Sequence, residues 1–257
     1  MSSKLAKEGE ILKRNIFGVM IDDVNAKKLI GEISGRLRKN SRTVIFTPNP
    51  IMTQNARRDS RFMNILNSSD YNIPDGNGII LASRLLKTPI SERICGIELA
   101  EELLYTASKQ GLNVFLFGGK AGVADLAAAK LCAKYRGLKI CGTLNGYTSD
   151  NDRILEKIKK SRPDILYVCL GSPKQEKWIY ENADNLPHVR LFMGLGGSLD
   201  VWSGNTKRAP RYLRKKGFEW LWRMTLSPKK LKDLPKLLAF GFSAVAKRIS
   251  SVVIMHR

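Results

Sequence analysis

The chain is poor in the residues that hold metals and disulfides. Its 257 residues include two histidines, His188 and His256, and four cysteines, Cys95, Cys132, Cys141 and Cys169, with no Cys-x-x-Cys pair among them. This spacing supports neither a zinc site nor a disulfide framework and fits a reduced, cytoplasmic compartment. Cys169, inside an apolar run, reads as a buried thiol. Long apolar runs are missing from the last fifth of the chain as well: the longest nearly uncharged stretch there, 237–246, is about half of the roughly 20 residues that cross a bilayer. Residues 1–14 are charged and lack an apolar segment, so no signal peptide is expected. Acidic residues are scarcest at the end. From residue 204 onward 14 Lys and Arg face only Glu219 and Asp233, and this fifth of the chain carries more than half of a net charge of +21. So one-sided a balance predicts a polyanionic partner: a nucleic acid, an acidic membrane surface or a phosphorylated substrate.

What is present is ordinary for a globular protein, 43% hydrophobic and 26% charged. Short β-rich runs at 16–21, 43–46, 113–117, 138–142, 165–170 and 190–193 end in glycine or turn residues. They alternate with helical patterns at 24–38, 122–135, 149–160 and 173–183. This alternation predicts an α/β fold, a mainly parallel sheet covered by helices. The texture then changes to basic residues interleaved with Tyr212, Phe218, Trp220, Trp222, Phe240 and Phe242. We therefore divide the chain into an α/β core, 1–203, and a basic, aromatic-rich helical appendage, 204–257. The appendage is too short in apolar length to span a membrane and is expected to lie on an anionic surface.

In an open parallel sheet ligands bind beyond the carboxyl ends of the strands. Four strand-end segments stand out: Thr47-Pro48-Asn49-Pro50, Gly118-Gly119-Lys120-Ala121-Gly122, Gly171-Ser172-Pro173-Lys174-Gln175-Glu176 and Gly194-Leu195-Gly196-Gly197-Ser198. The glycines at 118, 119 and 122 leave backbone N–H groups able to face a phosphate, though the same residues serve tight strand-to-helix turns. In the third segment Ser172 reads as a helix cap, Pro173 as the first helical residue and Gln175 as the closing member of a capping box. Lys174, Glu176 and Gln175 remain available to the crevice. Pro74-Asp75-Gly76 taken alone is a turn with Asp75 as an N-cap, and spacing does not make it catalytic.

Taken together, Thr47-Pro48-Asn49, Pro74-Asp75-Gly76-Asn77-Gly78, Glu92-Arg93-Ile94-Cys95-Gly96 and the two later glycine-rich segments through Asp200 resemble, in order and spacing, the WecG/TagA/CpsF glycosyltransferases. The resemblance continues through Lys207-Arg208-Ala209-Pro210 and Gly217-Phe218-Glu219-Trp220-Leu221-Trp222-Arg223, covering roughly 15–230. It implies a Rossmann-like core with a basic helical appendage, peripheral on the inner face of the cell membrane. The implied activity is an inverting, metal-independent transfer of N-acetylmannosamine or a related hexose from a UDP-sugar to an undecaprenyl-diphosphate-linked amino sugar, in teichoic acid or exopolysaccharide synthesis. It further implies that Asp75 is the catalytic base, that Thr47 and Asn49 line the pocket with Thr47 counted as catalytic, and that Arg93, Gln175 and the appendage's Arg223 contact substrate, as Gly118, Gly119, Lys174, Gly196 and Gly197 are expected to do. Neither a cofactor nor a metal ligand set is expected, and a homo-oligomer is left open.

The chemistry agrees with this. Inverting transfer needs a carboxylate to take the acceptor's hydroxyl proton, and Asp75 lies at a crevice-facing turn. The leaving diphosphate needs compensating charge, for which helix N-termini and Arg93, Lys174, Lys207, Arg208 and Arg211 are candidates. The alternative from another class is a nucleic-acid-binding protein, which the charge allows but for which no helix-turn-helix, zinc or RNP signature is found; no nucleic acid is expected. A dinucleotide-dependent oxidoreductase fails on the missing glycine fingerprint after the first strand.

Overall fold

The computed structural model describes residues 11–216, 219–226 and 228–255. Six strands form one sheet: β3 (Thr43–Phe46), β4 (Tyr71–Asn72), β5 (Asn113–Gly118), β6 (Lys139–Leu144), β7 (Ile165–Cys169) and β8 (Leu191–Gly194). They follow a hairpin of β1 (Leu12–Ile16) and β2 (Val19–Asp23). The sheet order is β4-β3-β8-β7-β5-β6, and every pairing is parallel. The inner strands are apolar throughout because helices cover both faces. Tyr167, Leu191 and Met193 point into one core, and Leu166, Val168 and Phe192 into the other.

The helices are α1 (Ala26–Arg38), α2 (Pro50–Ala56), α3 (Ser60–Asn67), α4 (Asn77–Leu85), α5 (Gly96–Gln110) and α6 (Val123–Lys134), then α7 (Asn151–Ser161), α8 (Lys174–Asn182), α9 (Ser198–Trp202), α10 (Arg211–Lys216), α11 (Glu219–Leu226) and α12 (Leu234–Met255). Helices α1, α5, α6 and α9 supply the first core; α2, α3, α4, α7 and α8 supply the second. Starts are fixed locally where the sequence offers a cap: the Oδ1 atoms of Asn25 and Asp59 accept from Lys28 N and Phe62 N.

Residues 16–21, expected as one strand, are the end of β1, a tight turn and the start of β2. Phe17 and Gly18 both have positive φ, 54° and 95°. Such two-residue turns suit the twist of a hairpin but normally carry Asn or Gly. Phe17 occupies the position because its ring packs edge-on against Phe240, 5.5 Å between centroids, with the Arg57 guanidinium 4.7 Å from the ring.

Phe240 belongs to α12, which folds back over α2 and α4 and buries Phe240 and Ala244 in the second core. The segment leading to it is pinned beside α5. Glu98 Oε1 accepts from Arg208 at 2.6 Å and from Arg214 at 2.7 Å, and Trp222 Nε1 donates to the Lys207 carbonyl. Among the described residues no helix is long and apolar enough to cross a membrane.

Candidate active site

Three loop segments lie side by side at the carboxyl end of β3. Ile73 N donates to Phe46 O at 3.0 Å, Asp75 N to Pro48 O at 3.1 Å and Ile94 N to Pro74 O at 3.1 Å. This lacing continues the β3–β4 pairing past the strands and carries Thr47, Asp75 and Arg93 to one place. Gly96 allows it: a Cβ there would stand 2.9 Å from Thr47 Cγ2. Asn49 has a structural duty too, its Oδ1 capping α2 by accepting from Ile51 N and Met52 N, both at 3.0 Å. The cap of α4 is Gly76, at φ 94°, with no side-chain hydrogen bond. Asp75 therefore does not serve as the N-cap the turn suggested; it is half-buried and lines the cavity.

That cavity has a volume of about 780 Å³. Its polar end is formed by Thr47, Asn49, Asp75, Arg93, Ser172 and Ser198. Its remaining walls are mainly apolar, from α2 and α4 and from α12, with Asn77, Glu219 and Asp233 the other polar residues of the lining. Cys95 lines it as well, and its thiol is pushed up to about 11 by burial, then by the charges of Asp75, Glu219 and Glu98. It stays a thiol at neutral pH and offers no nucleophile.

Gly118, Gly119, Lys174, Gln175, Gly196 and Gly197 gather instead at the ends of β5, β7 and β8, outside the cavity lining. Ser172, Leu195 and Ser198 line the cavity from this same side. Gly118 is required by packing, since a Cβ would sit 2.3 Å from Cys169 O. The Gly119 N–H, expected to face a phosphate, points at Cys169 O, 3.4 Å away. Gly171 and Gly196 have positive φ and open space around them. Lys174 is exposed.

The capping box expected at 172–175 does not form. Pro173 stands at the cap without a side-chain hydrogen bond, and Gln175 turns inward. Its Oε1 accepts from Gly196 N at 2.8 Å and its Nε2 donates to Glu176 Oε1 at 2.6 Å, so the β7 and β8 loops are tied together by one amide. Glu176 is fully buried, and burial raises its carboxyl above the usual range despite the opposing hydrogen bond from Gln175.

The chain's only Asp-x-Asp, Asp150-Asn151-Asp152, has the spacing of a metal-bridging pair but lies outside the cavity lining. Asp150 Oδ1 caps α7 by accepting from Arg153 N. Arg208 is engaged with Glu98. Arg223 falls on α11, and its side chain lies outside the described residues. Sequence reasoning missed the apolar contribution of α12 to this site. Its signal was the spacing of Leu234, Leu237, Leu238, Gly241 and Val245, one face of a helix.

Comparison with known proteins identifies the family. Residues 14–252 match the sequence model of the glycosyl transferase WecG/TagA/CpsF family. The chain is 37% identical over 196 residues to the N-acetylglucosaminyldiphosphoundecaprenol N-acetyl-beta-D-mannosaminyltransferase of Bacillus subtilis (strain 168), covering 75% of this chain and 76% of the relative. It is 32% identical over 239 residues to the protein of the same name in Staphylococcus aureus (strain NCTC 8325), covering 92% and 94%.

Proposed function

The chain belongs to the WecG/TagA/CpsF glycosyltransferase family, and from that premise we propose that it transfers an N-acetylmannosamine-like sugar from a UDP-sugar to an undecaprenyl-diphosphate-linked N-acetylglucosamine. The relatives' names supply the acceptor, and one observation carries the assignment of the chemistry: Asp75 and Arg93 line one cavity together, and the rest of its lining is mainly apolar.

In the proposed reaction the acceptor hydroxyl attacks the anomeric carbon while Asp75 takes the hydroxyl proton. The bond from the anomeric carbon to the phosphate oxygen breaks on the opposite face, inverting the configuration, and UDP departs with the electron pair. Arg93 balances the charge growing on the diphosphate, and no divalent ion is required. Thr47 and Asn49 orient the sugar from the β3 loop. Gln175, Lys174 and the glycines at 118, 119, 196 and 197 border the donor, with Gln175 holding the β7 and β8 loops in register.

The appendage supports a peripheral position on the inner face of the membrane. Leu238, Phe242, Val245 and Ile249, at helical spacing on α12, are all exposed, and 14 Lys and Arg accompany them in this part of the chain. Asp75→Asn is the test. It should keep UDP affinity and melting temperature while losing about 10²- to 10⁴-fold in transfer rate. Turnover close to that of the unaltered chain would remove Asp75 from the role.

A further inference from the structure

A glycine stands at the centre of the cavity-facing side of α12. Leu234, Leu237, Leu238, Gly241 and Val245 recur at the spacing of one helix face, and all of them line the cavity. Gly241 is the only one of the five without a side chain. A helix-interior glycine costs about 1 kcal/mol relative to alanine, so it is normally explained by a close approach or by a positive φ. Neither applies, because Gly241 has ordinary helical backbone and a Cβ built there meets no atom within 4 Å. By contrast Gly78, across the cavity on α4, is needed because a Cβ would stand 2.5 Å from Pro50 Cγ. Gly241 therefore leaves a hollow that the packing of the chain does not use.

The hollow joins two surfaces of different character. At one end lie Asp75 and Arg93; at the other the cavity opens between Leu81 of α4 and Leu238 and Phe242 of α12, which line it and are also exposed to solvent. Apolar side chains left in water around the mouth of an apolar cavity mark a binding surface. The occupant must be apolar along its length and carry an anionic head that can reach Arg93.

We propose that the apolar half of this cavity, between α4 and α12 and centred on Gly241, binds the diphosphate-proximal isoprene units of the acceptor lipid. The chain enters past Leu81 and Phe242, and the sugar is thereby fixed at Asp75. This rests on the reading of the acceptor as a polyprenyl diphosphate. It adds that the enzyme itself, and not only the bilayer, holds the hydrocarbon chain.

The test compares farnesyl diphosphate with methyl diphosphate as ligands of the full-length protein in vesicle-free buffer, below the micelle concentration, by calorimetry. The unaltered chain should bind the farnesyl compound at least about 10-fold more tightly, because apolar carbons leave water. Gly241→Phe, which fills the hollow, should reduce that preference to within about 2-fold, whereas Gly241→Ala should keep it. Circular dichroism and melting temperature establish that both variants are folded. Equal binding of the two ligands by the unaltered chain overturns the proposal, as does a full preference in folded Gly241→Phe. A stable dimer with no farnesyl preference also overturns it and gives the exposed lips to a second copy. The functional reading is tested separately with a short-chain GlcNAc-diphosphate acceptor. Transfer without a farnesyl preference refutes only the chain-binding site, and a farnesyl preference without any transfer refutes only the reaction.

Discussion

Replacing Phe240 by alanine tests whether α12 is a fixed wall of the cavity. The ring is 3% exposed and packs edge-on against Phe17 in the hairpin turn. Truncating a buried phenylalanine costs about 3–5 kcal/mol, through lost transfer energy and the space left behind. Phe240 is the largest side chain that α12 buries against α2 and α4. Ala244 is buried but small, and the hydrogen bond from Arg57 to Ser243 Oγ is exposed, a type worth about 0.5–1.5 kcal/mol. The loss therefore removes the main anchor of α12 on the second core, and α12 should open far more often while β5, β7 and β8 stay folded. Hydrogen exchange resolved along the chain reads this directly: amides of α12 lose their protection and those of the sheet keep theirs. Activity should fall with α12, because the cavity loses a wall. Phe17→Ala should give the same pattern, and the two together should show a coupling of about 0.5–1.5 kcal/mol. Protection in α12 unchanged by Phe240→Ala, or lost equally across the sheet, would refute the reasoning.

Three further outcomes are expected. Transfer should survive EDTA, since Asp150 is spent on the α7 cap and charge compensation is assigned to Arg93; loss on chelation with recovery by Mg²⁺ or Mn²⁺ would contradict this. Glu176 has a raised native pKa, so its contribution to stability is complete below the unfolded carboxyl value, near 4.5, and is lost as pH rises through the higher native value. Glu176→Gln should accordingly flatten the decline in stability between those two values, as measured by denaturant unfolding at several pH values; an unaltered decline would count against a protonated Glu176. Binding to phosphatidylglycerol vesicles should weaken as salt rises, each basic residue near the surface being worth about 1 kcal/mol or less, whereas Phe242→Ser should weaken it at every salt concentration; salt-independent binding would exclude the basic residues from the contact.

Five of the six strands of the sheet were legible as apolar runs bounded by turns, as at 43–46 and 165–170; β4, two residues long, offers no such run. The hairpin was not legible, because Phe17 takes a positive φ that its residue type disfavours, and the compensation comes from Phe240, more than two hundred positions away. Ser172-Pro173-Lys174-Gln175 reads locally as a capping box. Its actual arrangement depends on Gly196, a neighbour only in the folded chain. Asp75 shows the converse: the local pattern called it a cap, while the glycine after it takes that position and Asp75 lines the cavity. The contribution of α12 was written in a helical stripe of leucines, but periodicity names a face and not what the face meets. The polar end of the site was thus readable from motifs, and its apolar walls only from the packing.

The strand order carries a consequence for how the protein is made. β8 lies between β3 and β7, so it joins one half of the sheet, β4 and β3, to the other, β7, β5 and β6. It is also the last strand to leave the ribosome. Until Leu191–Gly194 emerges, β3 has an open edge where its central neighbour belongs, and no strand pairing joins the two halves. Pairing of Thr43 with Leu191 closes a loop of well over a hundred residues, a slow, non-local step during which apolar edges stay exposed to aggregation. A nascent chain stalled before β8 should be a chaperone client with both halves unjoined, and release of those four residues should commit the sheet to folding as one unit.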